Sequence, residues 1–418
     1  MERVDHERLS RLLGDPALAW VLHRVRRRME RGQSLDGTIA RSSASAAERD
    51  AVARLLGRPP RAARGLSVSL DELDRLLRRA GVHDGGLAGA VTTLTGPVTV
   101  RADVTSRRAR AWAEAFRHIE TASTGRPELA AWLDRVQTSG AVKRLAAGSP
   151  DTARELLDSL TGVVAALPAS GGESLSAFAA RVTGRAHALD DGSPLGTLAL
   201  GAARALAGLE PAGPDESPAD ARREVWAALG VLCDELSSTV LTLGLPGDAS
   251  ATGAVLAAAG DEPMWLTLRQ LVRSPPQWQA VDIPCVVVVE NPSVLALAAD
   301  MLGQHAAPMV CTNGQPRAAT MVLLRSLAGA GVRLRHHGDF DWGGLRIGNL
   351  LHRRLTVEPW QFDHDAYIQA VATHPYAATL TGSPTAAGWD PHLAEAMSDA
   401  GLRIEEELVA RELLETLA

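Results

Sequence analysis

The chain is 418 residues long, with 46% hydrophobic and 22% charged residues. That profile excludes a disordered chain and leaves room for two or three domains. Its 43 basic and 49 acidic residues give a net charge of -6, which excludes a uniformly basic nucleic-acid coat but not a local basic surface. Only one basic residue is a lysine, Lys143, and no glycine-rich turn precedes it. A Walker-type nucleotide site is therefore excluded. The three cysteines, Cys233, Cys285 and Cys311, show no CxxC or zinc spacing and lie among apolar residues, so buried, reduced thiols are expected. The first ten residues, MERVDHERLS, lack an apolar stretch, and no uncharged apolar run is long enough for a bilayer. A cytoplasmic protein with no membrane association is expected.

Residues 1–120 hold 22 arginines against 15 acids, and the remainder is acidic. The basic third points to a polyanion or an acidic partner, with a solvated arginine-rich helical surface as the alternative. Apolar spacing predicts helices over Pro16–Glu30 and Ala46–Leu56, and Ser69 with Glu72 predicts a capping box opening Leu70–Ala80. Arg24, Arg26, Arg27, Arg28 and Arg31 spread over one helical surface, and Arg107, Arg108 and Arg110 form a second cluster. Guanidinium forks suit phosphate oxygens, so Arg24, Arg27, Arg28, Arg31, Arg107, Arg108, Arg110 and Arg317 are candidate DNA contacts. The middle reads as broken helix: loops at Gly171–Ser174 and Leu209–Pro218, helices over Ala221–Val240 and Glu262–Val272.

The pattern changes after Pro276. Ile283–Val289 (IPCVVVV) is β-branched and apolar throughout, as in a central parallel strand covered on both faces. A helix from Pro292 to Leu302, a strand over Pro308–Thr312, a helix over Arg317–Ala330 and a strand over Val332–His336 follow. This alternation predicts an α/β layer with a parallel sheet. The fold class is thus a multidomain α plus α/β chain: a basic, helical, arm-like domain over 1–135, a mostly helical middle over 136–278 and an α/β domain over 279–418.

Sites in open parallel sheets form at the carboxyl ends of strands. Glu290 follows the first strand, and Asp339 and Asp341 follow the third in HHGDFDWGGLRI. Extended backbone would point both aspartates one way and Phe340 the other. Carboxylates gathered there repel each other, and a divalent cation resolves the repulsion. Gly343 and Gly344 would admit a phosphate at the start of a helix over Leu345–Leu351. Of the adjacent His336 and His337, at most one faces the site, for orientation or strand packing. The segment His187–Gly192 (HALDDG) reads as a structural turn, with His187 and Asp190 as an acid/base pair the weaker reading. Trp265, Trp278, Trp342, Trp360 and Trp389 read as core anchors.

Glu290-Asn291, Thr312-Asn313-Gly314-Gln315-Pro316 and Asp339-Phe340-Asp341 with Gly344 and Ile347 resemble a Toprim domain, in particular that of topoisomerase VI A subunits and their nuclease relatives. With the arginine-rich helical N-terminal region and the HALDDG segment, the chain resembles the JetD subunits of Wadjet anti-plasmid systems, type II branch. The resemblance implies a Toprim over about 279–418 with a Rossmann-like parallel sheet, a winged-helix module ahead of it and dimerisation across DNA. It makes Glu290 a metal ligand or general acid/base, and Asp339 and Asp341 ligands of one or two Mg²⁺ or Mn²⁺ ions, with no nucleotide, haem or zinc. It brings an acid from the C-terminal helix toward the metals, with Glu405, Glu406 and Glu407 as candidates, of which Glu405 and Glu407 are taken as ligands. The alternative is a solvated face of an amphipathic helix. Topoisomerase VI A subunits attack DNA with a winged-helix tyrosine, whereas Tyr367 and Tyr376 both follow the acid pair. The implied function is therefore hydrolytic cleavage of double-stranded plasmid DNA beside an SMC-type motor complex. A strand-passage subunit and a non-catalytic DNA-binding scaffold are the alternatives.

Overall fold

The computed structural model describes residues 4–59, 64–213 and 216–417. Part of the expected 209–218 loop, residues 214–215, lies outside the described residues. The chain forms two compact units, Met1–Ala115 and Phe116–Ala418.

In the first unit, Ala19–Glu30, Ala46–Leu56 and Leu70–Arg79 are helical. Ser69 accepts a hydrogen bond from the Glu72 amide at 3.3 Å and starts the third of these. Its Leu70, Leu73 and Leu77, at helical spacing, join Leu9, Leu13, Val21 and Val25 in one core. This region is not purely helical as expected: Thr38–Arg41 pairs antiparallel with Leu66–Ser69. Each strand is too short for alternation to show in sequence, yet Ile39 and Val68 face each other in the ladder and are buried. Arg26 spends its guanidinium on Glu30, Thr95, Gly96 and Pro97, and Arg28 on the Asp36 and Thr38 carbonyls. Arg24, Arg27 and Arg31 are exposed. Helix Arg101–Ser123 carries the chain into the second unit, with Arg107, Arg108 and Arg110 on a stretch exposed all round.

The second unit begins with helices and ends on a six-stranded sheet. Its strands are β1 (Thr239–Leu243), β2 (Met264–Thr267), β3 (Cys285–Val289), β4 (Met309–Cys311), β5 (Arg333–His336) and β6 (Val357–Pro359), in the order β6-β5-β3-β4-β1-β2. β6, β5, β3 and β4 are parallel, and β1 and β2 are an antiparallel edge pair. The helices are α1 (Pro292–Leu302), α2 (Ala318–Gly329), α3 (Trp342–Arg354) and α4 (Glu406–Glu415).

The valine run of β3 explains the layering. Val286 and Val288 pack with Ala319, Leu323, Leu324 and Leu327 of α2 on one face. Val287 and Val289 pack with Val294 and Leu295 of α1 and Val409 and Leu413 of α4 on the other. Period-two alternation makes every side chain of such a strand a core residue.

Several expectations need correction. The helix expected over Ala221–Val240 spans only Pro218–Ala228, because Gly230 turns the chain at φ 76° and Thr239–Leu243 is the β-rich β1. The helix expected over Glu262–Val272 is β2 followed by Leu268–Arg273, started by a Thr267/Gln270 capping box. The GGES loop ends in a two-residue parallel ladder, Glu173–Ser174 with Val231–Leu232. Trp265 is half exposed on the edge strand β2 and not a core anchor, whereas Trp278, Trp342 and Trp360 are buried and Trp389 is half buried. The three cysteines are free, but only Cys311 is buried. Among the described residues no helix is long and apolar enough to cross a membrane.

Candidate carboxylate centre

The carboxyl ends of the neighbouring strands β3 and β5 carry Glu290 and the segment His336–Asp341. The Asp339 amide donates to Glu290 Oε2 at 3.2 Å, so the two acids meet directly. Gly338 makes this approach: a Cβ there would stand 3.0 Å from Glu290 Oε2. Asp341 caps α3, its Oδ1 accepting from the Gly344 amide at 2.8 Å. Gly344 has no alternative, since a Cβ would lie 2.0 Å from the Asp339 carbonyl oxygen. Between the aspartates Phe340 turns into the core and bridges antiparallel to Ile404, the alternation expected of extended chain.

Of the three C-terminal candidates, sequence reasoning chose Glu405 and Glu407 and passed over the organiser of this centre. Glu406, at the start of α4, is fully buried. Its Oε2 accepts from the backbone amides of Glu290 at 3.0 Å and Asn291 at 2.7 Å, and its Oε1 lies 3.2 Å from His337 Nδ1. In return its own amide donates to Asp339 Oδ1 at 2.7 Å. Glu407 lies at the rim, accepting from Asn291 Nδ2 at 3.2 Å and Ser293 Oγ at 3.1 Å. Asn291 Nδ2 also reaches Asp339 Oδ1 at 3.1 Å. Glu405 instead pairs with Arg403.

Burial, with the crowding of the acids behind it, governs the electrostatics. Burial, then Asp339, Glu406 and Asp341, push Glu290 up to about 8. Burial, then Glu406, Asp341 and Glu407, push Asp339 up to about 6, against the Glu406 amide. Burial and Glu407 raise Glu406 to about 8, against its two amide donors. His337 is fully buried, and burial depresses it to about 3. His336 is likewise pushed well below its usual value. Both imidazoles are therefore neutral at pH 7 and lend the cluster no positive charge.

The free oxygens test whether a divalent cation fits. Glu290 Oε1, Asp339 Oδ2 and Asp341 Oδ2 accept no hydrogen bond among the described residues, while each partner oxygen is held by a backbone amide. Three oriented carboxylates with open oxygens and no lysine or arginine paired to them suit a hard, oxygen-seeking ion. Among the described residues no three His, Cys, Asp or Glu side chains already close on one point. Glu406, with both oxygens engaged, is a clamp and not a ligand.

Other candidates lie elsewhere. His187 Nδ1 meets Asp190 at 2.9 Å on the surface, and the segment is a turn leading to the Ser193-capped helix Pro194–Leu206. Arg317 caps α2 and its guanidinium reaches the Ser237 carbonyl at 3.5 Å. Tyr367 is buried, its hydroxyl donating to the Leu402 carbonyl at 2.8 Å, and Tyr376 is 98% exposed.

No curated protein matches the chain. Residues 264–417, which hold the carboxylate centre, match the family model described as protein of unknown function C-terminus (DUF2399). Residues 35–247, half of the chain, match that described as protein of unknown function N-terminus (DUF3323), and the protein belongs to this family.

Proposed function

We propose that the protein is a metal-dependent DNA endonuclease subunit, with a Toprim-like α/β domain that hydrolyses phosphodiester bonds of plasmid DNA. The observation that carries this reading is the set of three carboxylates, Glu290, Asp339 and Asp341, each with one oxygen fixed by a backbone amide and one open. These three would hold Mg²⁺ or Mn²⁺. When bound, such an ion stabilises charge on the phosphodiester and lowers the pKa of a water. Without an ion Glu290 is pushed up to about 8, and a bound cation would hold it ionised as a ligand. Gly343 and Gly344 keep the start of α3 free of side chains beside the acids.

Tyr367 is held in the core by its hydrogen bond, and both Tyr367 and Tyr376 follow the acid pair rather than precede it, which favours water over a tyrosine as the nucleophile. The pairing of the two family models is the one associated with JetD of Wadjet systems. That supports work beside an SMC-type motor complex, as a homodimer on double-stranded DNA. The exposed Arg24, Arg27 and Arg31 and the helix bearing Arg107, Arg108 and Arg110 would supply phosphate contacts.

The test is cleavage of supercoiled plasmid with Mg²⁺ or Mn²⁺, with and without the products of neighbouring genes, for the wild type and Asp339→Ala. Cleavage lost in the variant upholds the proposal. No cleavage under any condition, or equal cleavage by the variant, rejects it and favours a scaffold.

A further inference from the structure

Within the first unit, a pocket of about 680 Å³ opens between helix Ala46–Leu56 and the ladder of Thr38–Arg41 with Leu66–Ser69. Four arginines reach it: Arg24, Arg41, Arg49 and Arg58. Its apolar lining comes from Val52, Leu56 and Leu66. No acid lines it. The adjoining concavity, by contrast, balances Asp15 and Asp50 against Arg54 and Arg58. Positive charge is thus unbalanced among the described residues lining this pocket and balanced in its neighbour.

We propose that this pocket binds a nucleotide, either free or as the 5′-phosphorylated end of a DNA strand. Three features point there together. First, the charge is preset and only partly cancelled. Glu48 and Glu72 pair with Arg41 and Arg58 while standing outside the lining, and so orient those guanidiniums. Arg49 is held by the Ala44 carbonyl and has no acidic partner among the described residues. Arg24 is exposed, with no hydrogen bond or ion pair among them. Guanidinium forks match phosphate oxygens.

Second, the volume lies within the range of small-molecule sites, about 300–1,000 Å³. An inorganic phosphate would leave most of it unused. Third, the aliphatic lining offers a flat ring a dry surface, and arginines stack on such rings. A phosphodiester backbone crossing the surface uses neither the concavity nor the apolar wall. Ser42 and Ser67 at the rim add hydroxyls for a sugar or base edge. The residues of this site belong to the first unit and those of the carboxylate centre to the second, so the inference does not depend on what that centre does.

The experiment is isothermal titration of the full-length protein with AMP, GMP, a cyclic dinucleotide, a single-stranded oligonucleotide with a 5′-phosphate or a 5′-hydroxyl, and inorganic phosphate. Saturable binding of at least one nucleotide or the 5′-phosphorylated strand is expected, at least tenfold tighter than inorganic phosphate. Binding by mononucleotides or the dinucleotide marks a free ligand. Binding only by the strand, lost with a 5′-hydroxyl, marks a strand end. Arg24→Glu and Arg49→Gln should each weaken it at least tenfold with melting temperature unchanged, while Arg11→Glu, exposed on the same unit but outside the lining, should leave it intact. Affinity no better than for inorganic phosphate, wild-type affinity in Arg24→Glu, or equal loss in Arg11→Glu would overturn the proposal.

Discussion

Glu290→Gln should stabilise the metal-free protein, and only toward alkaline pH. A carboxyl whose folded pKa is raised stays protonated in the native state while the unfolded state ionises. Its burden is absent below the unfolded value and grows as pH rises to the folded one. For Glu290 the window runs from 4.5 to about 8. The move corresponds to about 5 kcal/mol at about 1.4 kcal/mol per pH unit. Burial is the first cause of that shift and repulsion from Asp339 and Glu406 comes behind it, and these acids titrate together, so one substitution should recover less than half, ~2 kcal/mol. At about 2 °C per kcal/mol for a unit of this size, the variant should melt about 4 °C above the wild type at pH 8.5.

Buried neutral His336 and His337 add the opposite slope. Their folded pKa values are depressed, so they destabilise as pH falls below 6.5. That effect is common to both proteins and cancels in their difference. The assay is thermal unfolding in EDTA from pH 5 to 9. The difference should be near zero at pH 5 and largest above pH 8, and Mg²⁺ should raise the wild-type melting temperature but not that of the variant. Parallel curves, or a difference that shrinks with rising pH, would refute the electrostatic account of the cluster.

Glu406→Ala should cost about 2–4 kcal/mol by stranding the Glu290 and Asn291 amides and His337, whereas Glu406→Gln, which keeps an acceptor, should lose less; chemical denaturation separates the two. Gly344→Ala should fold poorly or displace Asp339, because of the 2.0 Å approach of its Cβ to that carbonyl, and should lose Mg²⁺-induced stabilisation along with plasmid cleavage. Arg354→Ala should cost about 3 kcal/mol in urea unfolding, since Arg354 and Glu216 are a buried pair at 2.6 Å and only the half-exposed Arg353 would remain to face Glu216.

What the sequence showed, it showed through local chemistry. The valine run of β3 declared a strand buried on both faces, and the acids behind β3 and β5 stood where parallel sheets place sites. One helix start was legible from its serine cap, at Ser69, while those at Ser149, Ser174, Ser217 and Ser250 went unread. What failed depended on distant partners. The first two residues of β1 and all of β2 were read into helices because each strand is four or five residues long and takes its stability from a ladder, Thr239 facing Thr267. Three consecutive glutamates gave no local reason to choose Glu406. A signal was present nonetheless: Val409, Ala410 and Leu413 lie three, four and seven residues beyond it, so Glu406 continues the apolar stripe of α4 into the core.

The division of labour among the acids follows from that stripe. An acid on the buried face of a helix is costly unless its oxygens are satisfied, and those of Glu406 are, by two amides and an imidazole. It therefore serves as a tie between the C-terminal helix and the β3 end. Glu290 and Asp339 are different, since each keeps one oxygen open in a place where burial and mutual repulsion disfavour ionisation. A fold selected for stability alone would replace such groups with neutral ones at little steric cost. Their position beside a glycine that admits them, at the carboxyl edge of a parallel sheet, is the arrangement from which the proposed cation site is argued, and a cation bound there would relieve the repulsion.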